Sequence, residues 1–135
     1  MPSIKTPSIE KPAIKIDSKT KKKLQEHAAE ESQVIIHCTY AATYGYDRIR
    51  IWKTTFLFDK GSDHKSKLLL AENIPLYPVW KEIGIGETLY FTLIFSALPK
   101  SCKVFDMIEK IPEHGGFEFK NIRRNKTDVY HIDLP

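Results

Sequence analysis

The stretch Glu87-Thr88-Leu89-Tyr90-Phe91-Thr92-Leu93-Ile94-Phe95-Ser96-Ala97-Leu98, closed by Pro99, decides the reading of this chain. Leu89, Phe91, Leu93 and Phe95 fall on one parity, and Tyr90, Thr92 and Ile94 on the other. Apolar residues at every second position line one face of an extended strand, so the stretch predicts a β-strand with a buried side. Upstream, Val34, Ile36, Cys38 and Tyr40 alternate with Ile35, His37 and Thr39 in the same way. Between them lies Arg48 to Asp59, where Ile49 and Ile51 share one parity while Trp52, Phe56 and Phe58 share the other. A parity switch inside one run predicts a bulge or a strand that passes from one sheet to another. Gly61 to His64 is a turn cluster, and Lys65 to Ala71 returns as the hairpin partner with Leu68, Leu69 and Leu70.

Two prolines exclude Ile74 to Pro78 from a central strand and make it an edge segment or a connection. Val104 to Ile111, Phe117 to Asn121 after the Gly115-Gly116 turn, and Val129 to Leu134 complete the set. About seven short strands, punctuated by glycine and proline and with no amphipathic helix between them, predict an all-β domain. An antiparallel sandwich or a small barrel fits this pattern, and parallel βαβ units do not.

The first 33 residues differ. Pro2, Pro7 and Pro12 recur at a spacing of five and favour an extended arm over Met1 to Asp17. Ser18 to Gln33 holds good helix formers, but Leu24 is almost its lone large apolar residue, so it reads as a marginal helix or a flexible linker. The predicted organisation is therefore a polar N-terminal arm over 1–33 and a β-sandwich domain over 34–135.

At 135 residues, 41% hydrophobic and 28% charged, the chain has the size and make-up of one ordinary domain. No apolar run approaches the length that spans a bilayer, and lysines and prolines break up the N-terminus where a secretory signal would need a continuous apolar core. The expectation is a cytoplasmic protein whose two cysteines, Cys38 and Cys102, are small buried thiols rather than a disulfide framework. The net charge of +4 is modest, and residues 1–33 hold seven lysines against five acids, so the basic excess is spread along the chain. A dedicated nucleic-acid binder concentrates it.

Against this pattern the chain resembles an uncharacterised family of small Bacteroidetes proteins. The resemblance rests on Ile49-Arg50-Ile51-Trp52-Lys53-Thr54-Thr55-Phe56-Leu57, Ala71-Glu72-Asn73-Ile74, Phe91 through Lys100, Phe105-Asp106-Met107-Ile108-Glu109 and Asn121-Ile122. It covers about Val34 to Leu134 and excludes the arm. It implies an immunoglobulin-like sandwich and carries no activity or catalytic residue.

Tests for chemistry narrow the function. The histidines, at 27, 37, 64, 114 and 131, form no helical zinc pair, and no Cys-x-x-Cys occurs. His37 and Cys38 are neighbours on a strand and point to opposite faces. There is no Gly-x-Ser-x-Gly elbow, Gly84-x-Gly86 lacks the rest of a phosphate cradle, and Asp59 with Asp63 is an incomplete calcium set. A Cys102–His114 pair would be a nucleophile only if the fold joined them. No cofactor or metal is expected.

Two groups remain as candidate binding residues. Tyr44, Tyr46, Tyr77 and Trp80 are loop aromatics of the kind that anchor interfaces. Arg123, Arg124 and Lys126 form a basic patch suited to phosphates, with Lys120 nearby. The favoured reading is a non-enzymatic binding or protein-interaction module. Its alternatives are an enzyme using dispersed residues such as His37, His131, Asp106 and Glu109, and weak nucleic-acid binding through the basic residues.

Overall fold

The computed structural model describes residues 32–43 and 45–135. The arm over residues 1–31, with its marginal-helix expectation, and Tyr44 lie outside the described residues. Gln33, assigned to the arm by composition, is already buried.

The described residues form nine strands and no helix: β1 (Val34–Ala41), β2 (Asp47–Ile49), β3 (Thr55–Asp59), β4 (Lys65–Glu72), β5 (Lys81–Ile83), β6 (Thr88–Phe95), β7 (Val104–Glu109), β8 (Glu118–Arg123) and β9 (Val129–Asp133). Seven of them make one sheet in the order β8-β7-β3-β4-β6-β1-β9, and β2 and β5 make a small second sheet. The all-β class is as expected. Two features of the expected antiparallel sandwich change. The β1–β9 pair is parallel, with Ile35 opposite Val129 and Cys38 opposite Ile132. The core is enclosed mainly by one mixed sheet curled into a half-barrel rather than by two equal facing sheets.

The curl follows from a single contact. Five strand spacings separate β7 from β9, which in a flat sheet is about 24 Å at about 4.8 Å per strand. Yet the rings of Phe105 on β7 and Tyr130 on β9 meet edge to face at 5.2 Å. Inside the curve lie Val34, Ile36 and Cys38 of β1, Phe91, Leu93 and Phe95 of β6, Leu57 of β3, Met107 of β7 and Ile132 of β9, all buried. Outside, Ile35, Ile94 and Val129 form a small separate cluster.

The parity switch in Arg48 to Asp59 is a passage between sheets. β2 pairs with β5, Ile51 bridges to Leu76, and the chain turns at Trp52, whose carbonyl accepts from the Thr55 amide and hydroxyl at 3.1 and 2.7 Å. It then enters the large sheet as β3. There Leu57 is the core residue, while Phe56 and Phe58 stand half-buried on the other face beneath Lys65 and Lys110. The expected β3–β4 hairpin is present, and β4 carries a bulge between Leu68 and Leu70 that leaves Leu69 exposed.

Candidate binding site

β2 delivers Arg48 to the small sheet, and Arg50 follows two residues later, so both side chains leave the same face. β5 runs antiparallel to β2 with Ile49 opposite Lys81, which brings Trp80, one residue before β5, beside Arg50. The guanidinium carbon of Arg50 lies 3.7 Å from the Trp80 ring centre, and that of Arg48 lies at 4.4 Å. Arg50 also lies 4.6 Å from the centre of the Tyr77 ring, and Tyr77 stacks on Trp52 at 3.9 Å. Two cations and three aromatic rings thus form one stack, each cation facing the electron-rich surface of a ring.

The Arg50 side chain is only 11% exposed. Its Nη1 donates to the Pro78 carbonyl at 3.2 Å, and Nη2 lies 3.9 Å from the Glu113 carboxylate. Its Nε–H is buried and has no acceptor among the described residues. Deeper still is Glu109, the last residue of β7, on the inward parity with Phe105 and Met107. It accepts from the Trp52 amide at 3.0 Å and, at 3.4 Å, from the Phe117 amide. Burial pushes its carboxyl pKa above the ordinary value, against the pull of these two N–H groups and of the nearby Arg50 charge.

Together these residues wall a pocket of about 320 Å³ between the small sheet and the β7–β8 connection, with Tyr40, His114 and the C-terminal Pro135 at its margin. The β7–β8 connection is pinned here by Gly116. A Cβ at this position would sit 2.5 Å from the Glu109 carbonyl oxygen, so the close approach of the two backbones needs glycine.

Beside the pocket the surface is apolar. Of the seven large apolar side chains exposed among the described residues, five are Tyr46, Tyr77, Val79, Trp80 and Ile85, all on or next to the small sheet. Val79 is 59% exposed and Ile85 75%. Tyr46 is fixed by a hydrogen bond to Glu82 of β5, and Tyr40 by one to Asp47 of β2.

Of the loop aromatics singled out in the sequence, Tyr77 and Trp80 meet in the stack, Tyr46 stands on the same sheet, and Tyr44 lies outside the described residues. The basic residues part company. Arg123 and Lys126 are exposed. Arg124 is turned inward: it forks onto Asp128 at 2.6 and 2.9 Å and donates to the carbonyls of Pro99 and Cys102 at 2.7 and 3.2 Å.

The dispersed histidine–carboxylate set is partly gathered. His37 and His131 face each other across the β1–β9 ladder with ring centres 5.0 Å apart, on the outer face. Glu109 points inside the curve. Asp106, on the opposite parity of β7, accepts from the Asn121 amide and pairs with Lys60. Cys102 is buried beside Asp59 and Arg124, and burial and Asp59 push its thiol pKa up, opposite to what a nucleophile needs. Asp59 is occupied by the Gly61 amide and the Ser62 hydroxyl at 2.9 and 2.7 Å. Sequence reasoning singles out none of Arg48, Arg50, Trp52 and Glu113 as site residues, and His114, weighed there only as a partner for Cys102, lines the pocket, which Cys102 does not. The spacing Arg48-x-Arg50-x-Trp52 was the available signal.

Among the described residues no helix is long and apolar enough to cross a membrane. Comparison with protein-family models, with curated proteins and with solved structures finds no match.

Proposed function

We propose that this chain is a non-enzymatic binding module that engages a protein partner through the small-sheet corner, with Tyr77 and Trp80 as the central anchors. One observation carries the reading: exposed Tyr46, Tyr77, Val79, Trp80 and Ile85 gather on one small sheet instead of scattering over the surface. Contiguous exposed apolar surface is costly in water and marks contact sites in soluble domains. Tyrosine, tryptophan and arginine also dominate the energetic centres of interfaces. Arg48 and Arg50, packed on the Trp80 ring, brace the anchors and reduce the entropy lost on association. The nucleic-acid reading has less support, because Arg124 spends its guanidinium donors inside the fold. The proposed setting is the bacterial cytoplasm, in keeping with two separate buried thiols and with the resemblance to small Bacteroidetes proteins.

The test is photo-crosslinking in cells from a reactive residue placed at position 85. Discrete adducts are expected, and Val79→Asp should remove them without lowering the melting temperature. No discrete adduct, or adducts indifferent to Val79→Asp, would refute the proposal.

A further inference from the structure

We infer that the pocket between the small sheet and the β7–β8 connection is a binding site for a neutral polyhydroxylated ligand, one or two sugar rings in size. This goes beyond the protein-docking surface: it shares Arg48, Arg50 and Trp80 with it but rests on Glu109, Glu113, Tyr40 and Phe117, which the docking surface does not use.

Charge decides the class. The pocket is walled by two cations, Arg48 and Arg50, and two carboxylates, Glu109 and Glu113. An anionic guest would bring a second negative charge against Glu109, whose own charge is already poorly solvated at 8% exposure. A cationic guest would meet Arg50, whose side chain is 11% exposed. Like charges brought together away from water repel strongly, because little solvent screens them. A neutral guest meets neither penalty.

Hydrogen bonding then decides the chemistry. Arg50 makes one hydrogen bond, to Pro78, and its 3.9 Å separation from Glu113 is too long for a second. Its Nε–H is closed to solvent, so the donors left for a guest are those of the Nη groups, which share a single hydrogen bond between them. Each Glu109 oxygen accepts one amide and keeps a further lone pair. Unsatisfied donors and acceptors therefore stand side by side. A hydroxyl group both donates and accepts, and a ring of them answers both kinds of partner in one ligand.

The walls supply the rest. Tyr40 and Phe117 line the same space together with Trp52 and Trp80, whose rings are already packed by Tyr77, Arg48 and Arg50 on one side. A sugar ring carries its C–H groups on its faces and its hydroxyls at its rim. It can therefore lie against the rings while its hydroxyls reach Arg50 and Glu109. The volume of about 320 Å³ is at the lower end of pockets that take small organic ligands.

The chain has two tryptophans, Trp52 and Trp80, and both line the pocket. Intrinsic tryptophan fluorescence therefore reports occupancy with no other indole in the signal. The full chain is titrated with neutral methyl hexosides and disaccharides, with glucuronate and glucosamine as charged counterparts, and a glycan array widens the panel. The expected result is a saturable fluorescence change for at least one neutral sugar, about tenfold weaker in Arg48→Ala and in Glu113→Ala. The charged counterparts should bind less well. Val79→Asp should abolish cross-linking at the docking surface and leave the sugar titration unchanged, which separates failure of the two proposals. The inference is overturned if no neutral sugar saturates the signal or marks the array. It is equally overturned if glucuronate or glucosamine binds as tightly, or if binding is indifferent to both pocket variants.

Discussion

Replacing Arg124 with alanine should destabilise the fold by about 3.5 to 5 kcal/mol, a large effect for a residue whose sequence context looks like exposed basic surface. The magnitude follows from what the guanidinium holds. Its Nε and Nη2 fork onto Asp128, and Nη1 bridges the carbonyls of Pro99 and Cys102. Arg124 and Asp128 are each 18% exposed, so water does not take over when one partner is removed. The lost carbonyl bonds cost about 1 kcal/mol each, and an ion pair stripped of one member in partly buried surroundings adds about 1.5 to 3 kcal/mol. The contacts tie the β6–β7 connection to the β8–β9 connection. Urea unfolding followed by circular dichroism measures the loss. At a slope of about 1 to 3 kcal/mol/M the midpoint should fall by about 2 M with the slope unchanged. Arg124→Lys should recover less than half, because an ammonium cannot reproduce the planar fork. A double-mutant cycle with Asp128→Asn should give a coupling above about 1 kcal/mol. Stability of Arg124→Ala within about 0.5 kcal/mol of wild type would refute the reasoning.

Gly116→Ala should cost about 1 to 3 kcal/mol, since the new methyl collides with the Glu109 carbonyl, and should also weaken sugar binding by shifting the pocket wall; thermal melts and the fluorescence titration check both. The hydrogen bonds from Ser62 and Gly61 hold the Asp59 carboxyl below its ordinary 3.8, so its contribution to stability is full above that pH and is lost as pH falls through the depressed value. Asp59→Asn should therefore be less stable than wild type at about pH 7, with the gap narrowing in paired melts only as pH falls below the ordinary 3.8. Burial pushes the Cys38 thiol pKa up, and burial with Asp59 does the same for Cys102, so Ellman's reagent should find neither thiol in the native protein and both after guanidinium unfolding.

Much of the fold was legible because alternation records which side of a strand meets water. Leu89, Phe91, Leu93 and Phe95 point inward from β6, and Val34, Ile36 and Cys38 from β1, with Ile35, His37 and Thr39 outward. Alternation carries no sign of direction, however, so the parallel β1–β9 ladder was not readable from it. Nor does it distinguish one curled sheet from two facing ones, since both have a single wet and a single dry side. Where both faces are apolar it also fails to rank them, as at Phe56, Leu57 and Phe58, where the smaller residue takes the core. The site was legible only through its aromatics. Arg48, Arg50 and Trp52 become a pocket wall because β5, some thirty residues later, pairs back onto β2 and brings Trp80 across. Arg124 was misleading for a related reason: the carbonyls that claim it belong to a connection more than twenty residues earlier.

The parallel ladder fixes an order of events at the ribosome. β1 is the first of the nine strands to be synthesised, yet its two neighbours are β6 and β9, so it waits while four other strands are made before the first of them follows. Until Val129 to Asp133 emerge, one margin of β1 is a row of unanswered amides and carbonyls next to some of the most apolar sequence in the chain. A nascent chain halted in that interval is a template for any extended peptide that drifts past. Emergence of Val129 to Asp133, more than collapse of the core, is the moment at which that margin is covered.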